Sequence, residues 1–278
     1  MKPMMKKMRG GNMDYATIMI PTLGRANMQT TLMNLPEEIR EAAVLVVKDY
    51  EADEHEFEYS DICDIHILPD DVNGISATRQ HCIETCETEF LFMLDDDLAF
   101  FKRDEITNKL GKSTDDEVEE MFEALIDALG FEEFTLVGVS ARSGNNHVQE
   151  DYKDVTRQGG FHGVNVAKFK EEGLRFDTSE VMEDFNLLLD MFTQGIPNRV
   201  FYKYCFDQKG GSGMQGGCST FRTPELQRAC ALALKERYPD FVTVVQKQSK
   251  TAWHANGMET RTDVRMQWKK AFEFGRGL

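Results

Sequence analysis

Residues 90–97 read Phe-Leu-Phe-Met-Leu-Asp-Asp-Asp, a continuous apolar run that stops on three consecutive carboxylates. An apolar run of this length with no polar interruption predicts a strand covered on both faces. Adjacent Asp residues repel one another, so placing them at the mouth of a buried strand calls for a compensating cation, most simply a divalent metal held by oxygen ligands. In an extended chain alternate side chains share a face, so Asp95 and Asp97 are expected to point one way and Asp96 the other. Asp95 and Asp97 then form a bidentate pair for Mn²⁺ or Mg²⁺, and such a cation suits a diphosphate. The plainer alternative is a solvated acidic turn that merely ends the strand, and the surrounding sequence has to decide between the two.

Upstream, strand and helix patterns alternate. Strands are expected at 16–20, ending at Pro21, at 43–47, ending in Lys48-Asp49, and at 62–68, with helices at 27–35 and 75–86. Downstream, 115–129 has a helical apolar stripe, 135–139 reads as a strand and 164–169 as a strand or strand-turn. Asp177-Thr178-Ser179 offers N-cap candidates for a helix from 180 to about 193, whose first turn carries Glu183 and Asp184. A Gly-rich loop (210–217), a helix (224–238) and a final strand (241–245) complete the pattern. Short strands with intervening helices predict an α/β fold with a mostly parallel sheet flanked by helices, and ligands in such folds bind beyond the carboxyl ends of the strands. Pro21 to Arg25, Asp49 and Asp95 to Asp97 all fall on that edge.

The chain has 278 residues and a net charge of −16, enough length for a full core in one compact domain with a C-terminal extension. Residues 1–13 read as a mobile tail, 14–100 and 101–205 as the two halves of the domain, and 206–278 as a Gly-rich loop and basic segment belonging to it. No stretch approaches the roughly 18 uninterrupted apolar residues of a membrane span, which leads to the expectation of a cytoplasmic protein. The six cysteines are scattered without Cys-x-x-Cys pairs and are expected to be reduced structural thiols, although His81, Cys82 and Cys86 share one helix. The acidic balance opposes loose nucleic-acid binding. Yet the C-terminal stretch sets Lys247, Lys250, Arg261, Arg265, Lys269, Lys270 and Arg276 against only Glu259, Asp263 and Glu273, and it includes Trp253 and Trp268. Such an end can seat a nucleic acid locally or simply be a solvated face.

Four pieces in order resemble a glycosyltransferase of the GT-A (Rossmann-like) fold: residues 18–25 (Ile-Met-Ile-Pro-Thr-Leu-Gly-Arg), the second strand ending at Asp49, residues 74–80 (Gly-Ile-Ser-Ala-Thr-Arg-Gln), and Leu94-Asp95-Asp96-Asp97. The resemblance covers most of the chain. It implies that Thr22, Arg25 and Asp49 seat the nucleoside of a nucleoside-diphosphate sugar, a UDP-sugar by preference, that Arg79 approaches its diphosphate, and that Asp96 contacts its ribose or sugar. Arginine suits bidentate phosphate recognition, which supports Arg79 independently. The family pattern also implies that Asp184, with Glu183 second, deprotonates the acceptor hydroxyl, and that His254 joins Asp95 and Asp97 on Mn²⁺ or Mg²⁺; His162, in a Gly-rich segment, could instead shape the sugar pocket.

Within this fold, the basic ending and the loop Gly216-Gly217-Cys218-Ser219-Thr220 are similar to bacteriophage glycosyltransferases associated with TET-type base hydroxylases. That implies an acceptor hydroxyl on a 5-hydroxymethylpyrimidine in DNA, contacted by Gly217 and His162, with Trp253 or Trp268 as a stacking surface. The net acidity departs from this pattern, and a glycan, protein or small-molecule acceptor stays open. A nucleotidyltransferase would carry a Gly-rich basic signature after the first strand, where this chain has one Gly and one Arg. A non-catalytic binding protein is opposed by the intact Asp95, Asp97 and Asp184.

Overall fold

The computed structural model describes residues 15–132, 134–208, 216–248 and 260–278. Strands β1 (Ala16–Pro21), β2 (Ala43–Lys48), β3 (Asp64–Leu68) and β4 (Phe90–Leu94) pair in parallel in the order β3-β2-β1-β4. The sheet is ten-stranded, continuing from β4 through β9 (Phe161–Asn165), β7 (Leu136–Ala141), β10 (Arg199–Gln208), β5 (Leu98–Arg103) and β6 (Leu110–Lys112), with β8 (Tyr152–Asp154) beside β10. Strands β7 and β10 run parallel to each other, while β9 is antiparallel to both β4 and β7. So β1–β4, β7 and β10 share one direction, and β9 is the reversed strand set among them.

All five residues of β4 are buried, because both faces of the sheet are covered. Phe90, Phe92 and Leu94 pack on one side with Ile18, Ile20, Leu45, Phe122 and Phe161. Leu91 and Met93 join Met19, Val46, Phe169, Phe176 and Leu188 on the other. On the first side lie α1 (Thr30–Asn34), α2 (Glu37–Glu41), α3 (Asp49–Tyr59) and α5 (Asp115–Gly130), the last started by a Thr114–Glu117 capping box. On the second lie α4 (Gly74–Thr85), α6 (Val166–Glu171) and α7 (Glu183–Thr193).

Several elements differ from expectation. The segment 164–169 divides into the end of β9 and helix α6, which Asn165 caps by accepting from the Lys168 N–H at 3.1 Å. Helix α7 starts at Glu183, after the Asp177–Ser179 candidates, because Met182 takes a left-handed conformation (φ 62°) and turns the chain there. A buried non-glycine residue in that region costs on the order of 1–2 kcal/mol and is held only where its surroundings demand it. The single final strand expected at 241–245 is the first arm of an antiparallel hairpin, β11 (Val242–Gln248) with β12 (Thr260–Met266), packed on α8 (Pro224–Arg237) and followed by α9 (Trp268–Gly275). Trp268 lies 6.0 Å from the Phe185 ring and 5.8 Å from Phe192, so it joins α9 to α7 instead of offering a stacking surface.

Cys63, Cys82, Cys86, Cys205 and Cys230 are free and buried, and His81 faces His66. Among the described residues no helix is long and apolar enough to cross a membrane.

Candidate active site

A cavity of about 690 Å³ opens at the carboxyl ends of β1, β2 and β4. Thr22, Arg25, Arg79, Asp95, Asp96, Asp97, Glu183, Asp184 and Gly217 all line it, so residues spread over most of the chain converge on one space.

The acidic turn follows directly from where β4 stops. Leu94 is the last strand residue, and 95–97 form a turn, so strand alternation does not orient the three acids. Their partners do. The Asp95 N–H donates to Gly160 O at 2.9 Å and the Thr31 N–H to Asp96 O at 3.0 Å, while the Thr31 hydroxyl donates to Asp95 O. Asp96 turns inward and accepts from Thr22 Oγ1 at 2.6 Å and from Arg25. Asp96 thereby fixes the first loop, and its oxygens are already engaged by protein. Asp95 and Asp97 both accept from Gln208 Nε2, each at 3.1 Å.

Through that shared donor two carboxylates aim at one point, an arrangement that suits a cation. Asp97 is pushed up to about 6, first by burial and then by Asp95 and Asp96, so the turn carries negative charge that its neighbours do not fully offset. Hard oxygen donors of this kind suit Mn²⁺ or Mg²⁺, which commonly bind through one or two carboxylates and complete their shell with phosphate and water. Among the described residues no group of three or more His, Cys, Asp or Glu is arranged to hold a metal. His254 and Trp253 lie outside the described residues.

Arg79 is nearly fully buried and joins the two acidic centres, donating from Nη2 to Asp95 at 2.7 Å and from Nη1 to Glu183. Burial pushes the Glu183 carboxyl up, with Arg79 as the main opposing charge. Asp184 is also raised by burial, opposed first by Arg157 and then by Arg79. Both acids reach the cavity because the left-handed turn at Met182 starts α7 against it.

The first loop is closed by the Gly-rich segment. The Gly217 N–H donates to Leu23 O at 2.8 Å. Gly216 has φ +87°, and a Cβ there would sit 2.7 Å from Arg25 Cγ and 2.8 Å from Leu23 O, so only glycine allows this approach.

Two expected site residues stand elsewhere. Asp49 is exposed at the start of α3 and does not line the cavity; Lys48 does, while Glu51 accepts from the Gly24 N–H at 2.9 and 3.0 Å. Helix α3 begins at once after β2, which turns Asp49 outward. His162 is 1% exposed, lies opposite Met93 in the sheet, and packs edge-on to Phe176 at 5.4 Å. Burial, then Arg79, holds its imidazole well below the usual range, so it is a neutral core side chain behind the cavity wall.

Residues that the motifs did not announce also line the cavity: Arg157, Gln208, Arg222 and the hairpin residues Lys247, Arg261 and Asp263. Only the basic bias of the C-terminal stretch pointed to the last group. Lys247 and Arg261 keep 46% and 34% of their side chains exposed and flank Asp263 at 2.7 and 3.4 Å, so they form the rim.

The family model of TET-associated glycosyltransferases matches residues 16–217. The chain belongs to the TET-associated glycosyltransferase family. It is a glycosyltransferase, and the match spans the whole floor of the cavity, from β1 through Asp184 to the Gly216-Gly217 loop. Among curated proteins, the beta-glucosyl-HMC-alpha-glucosyl-transferases of Enterobacteria phages T2 and T6 are each 22% identical to it over 235 residues, covering 79% of this chain and 78% of theirs. Among solved structures, GalNAc-T7 with UDP, GalNAc and Mn²⁺ superposes with a TM-score of 0.52 at 9% identity, covering 81% of this chain and 48% of that protein. That likeness concerns the fold, and it identifies the sheet and its helices as a GT-A arrangement.

Proposed function

We propose that this TET-associated glycosyltransferase moves a sugar from a nucleoside-diphosphate donor, a UDP-sugar by preference, to the hydroxyl of a 5-hydroxymethylpyrimidine in DNA, using Mn²⁺ or Mg²⁺. The observation that carries the reading is the convergence of Asp95, Asp97, Arg79 and the Glu183–Asp184 pair on one cavity. Asp95 and Asp97 would hold the cation, which when bound supplies positive charge to the leaving diphosphate. Thr22, Arg25 and Lys48 wall the donor end, and Arg79 stands where a phosphate oxygen would meet a buried guanidinium. The acceptor oxygen attacks the anomeric carbon as Asp184 takes its proton. The bond from that carbon to the diphosphate oxygen breaks, and its electrons leave with the nucleoside diphosphate.

The acceptor assignment rests on charge. The protein carries −16 overall, yet Arg157, Arg222, Lys247 and Arg261 line the cavity. Cations gathered at one site of an acidic protein suit a phosphodiester strand, and the names of the phage relatives place HMC in their reactions. GalNAc-T7, solved with UDP and Mn²⁺, supports the donor and cation. A thermal-shift screen of nucleotide sugars with and without Mn²⁺ tests this reading. Stabilisation by a UDP-sugar that needs the metal supports it, and indifference to every nucleotide sugar contradicts it.

A further inference from the structure

Glu183 and Asp184 are neighbours in sequence, yet their side chains turn to different walls of the cavity. Both stand in the first turn of α7, where successive residues project about 100° apart. Asp184 turns to the loop before β9, since a Cβ on Gly159 would lie 3.0 Å from its Oδ2. Glu183 turns to α4, where its Oε1 accepts from Nη1 of Arg79. The other terminal nitrogen of that guanidinium, Nη2, donates to Asp95 Oδ1 at 2.7 Å. The second oxygen of Asp95, Oδ2, faces Gln208 Nε2 at 3.1 Å, the same nitrogen that Asp97 meets. A line of contacts therefore runs from Glu183 through Arg79 to the acidic turn.

The helices that carry this line are fixed to one another. Gln80, beside Arg79 on α4, accepts from the Phe176 N–H at 3.0 Å, which ties α4 to the segment leading into α7. Asn186, three residues after Glu183, donates to Thr178 Oγ1 and accepts from Arg237 Nη1 at 3.2 Å, which ties α7 to the same segment and to α8. Arg79, Gln80, Glu183 and Asn186 are each no more than 6% exposed. A guanidinium is a rigid planar fork, so holding one nitrogen aims the other. Arg79 is gripped from the α7 side by Glu183, and its second nitrogen is thereby directed at Asp95.

We propose that Glu183 is a positioning residue for the donor end of the cavity: it stations Arg79 so that the guanidinium orients Asp95 and meets the diphosphate, and the acceptor proton is left to Asp184. The inference rests on the donor reading given above. A carboxylate already accepting from a buried guanidinium is a poor proton acceptor, because protonating it would leave that cation without its partner. The same contact makes Glu183 effective at a distance, since Arg79 reaches the acidic turn that Glu183 itself does not touch.

The test is calorimetric titration of the full chain with UDP in the presence of Mn²⁺, with thermal unfolding to show that each variant folds. Glu183→Gln keeps the shape and an acceptor oxygen but removes the charge, and it should weaken UDP binding about tenfold. Arg79→Lys, which cannot span two carboxylates, should weaken it at least as much, and Glu183→Gln in that background should add little because the pair acts as one unit. Asp184→Asn should leave UDP affinity in place. In turnover with 5-hydroxymethylcytosine DNA and the UDP-sugar that most stabilises the wild type, Glu183→Gln should raise the donor KM and keep kcat within about tenfold of the wild type. A Glu183→Gln variant that binds UDP as the wild type does overturns the proposal, as does a fall in its kcat equal to that of Asp184→Asn or additive losses in the double variant. A wild type indifferent to UDP with and without Mn²⁺ overturns the donor reading, and the proposal with it.

Discussion

The floor of the cavity and its rim handle charge in opposite ways. At the floor, Asp96, Asp97, Glu183, Arg25 and Arg79 all have side chains no more than 12% exposed, and the acids are held by Arg25, Arg79, Thr22 and Gln208. At the rim, Lys247 and Arg261 are only partly buried around Asp263. Buried charges are preorganised and little screened, so they act on the reacting bonds. Solvated cations are screened and mobile, and they act on the capture of a charged partner. Substitutions on the floor should therefore remove chemistry, and substitutions on the rim should weaken only the acceptor, in a salt-dependent way.

The largest effect is expected from Asp97→Asn, which should lower transfer by about 10⁴-fold and abolish metal-dependent donor binding, measured by turnover and by donor titration with and without Mn²⁺. Asp184→Asn should lower turnover by about 10³-fold while the donor still binds, which separates the two acidic centres of the floor. At the rim, Lys247→Ala or Arg261→Ala should raise KM for DNA several-fold and reduce the dependence of log KM on log salt by about one phosphate contact, leaving donor affinity unchanged. A rim variant that lost donor binding would break the contrast.

The smallest effect belongs to a charge cluster away from the cavity. Glu120 is held down to about 2, first by the hydrogen bond from Lys102 and then by those from Lys203 and Tyr204. A depressed carboxylate contributes stability above the ordinary glutamate range and loses it as pH falls toward 2. Its side chain is 40% exposed, so Glu120→Gln should cost well under about 1 kcal/mol at pH 7, read as a small fall in Tm. That difference should vanish near pH 2, with no change in turnover.

The floor was largely legible in the sequence because its residues sit at strand ends, where an apolar run stops on a polar motif. Residues 90–97 marked β4 and its acids, and Glu183-Asp184 stood at the head of an apolar helix. The pairing of Asp95 with Asp97 holds for a different reason than strand alternation: β4 ends at Leu94, and Gln208, from the distant β10, gathers the two carboxylates. A long-range partner such as Gln208 leaves no local pattern. The start of α7 was misplaced because a left-handed Met182 has no signature in residue type. The rim shows in the sequence only as a basic segment because residues 260–266 alternate polar and charged side chains with few apolar ones, and only pairing with β11 makes them a strand. His162 looked functional as an isolated histidine in a Gly-rich segment; its burial follows from β9 pairing with β4 on one side and β7 on the other.

Sugar transfer onto a hydroxymethylated base is the reaction proposed for this cavity. The most direct measurement is mass analysis of nucleosides from 5-hydroxymethylcytosine DNA incubated with UDP-sugars, Mn²⁺ and the enzyme. A base heavier by one sugar is expected, formed by the wild type and absent with Asp97→Asn or Asp184→Asn. Unmodified DNA together with efficient transfer to a free glycan or small hydroxyl acceptor would contradict it.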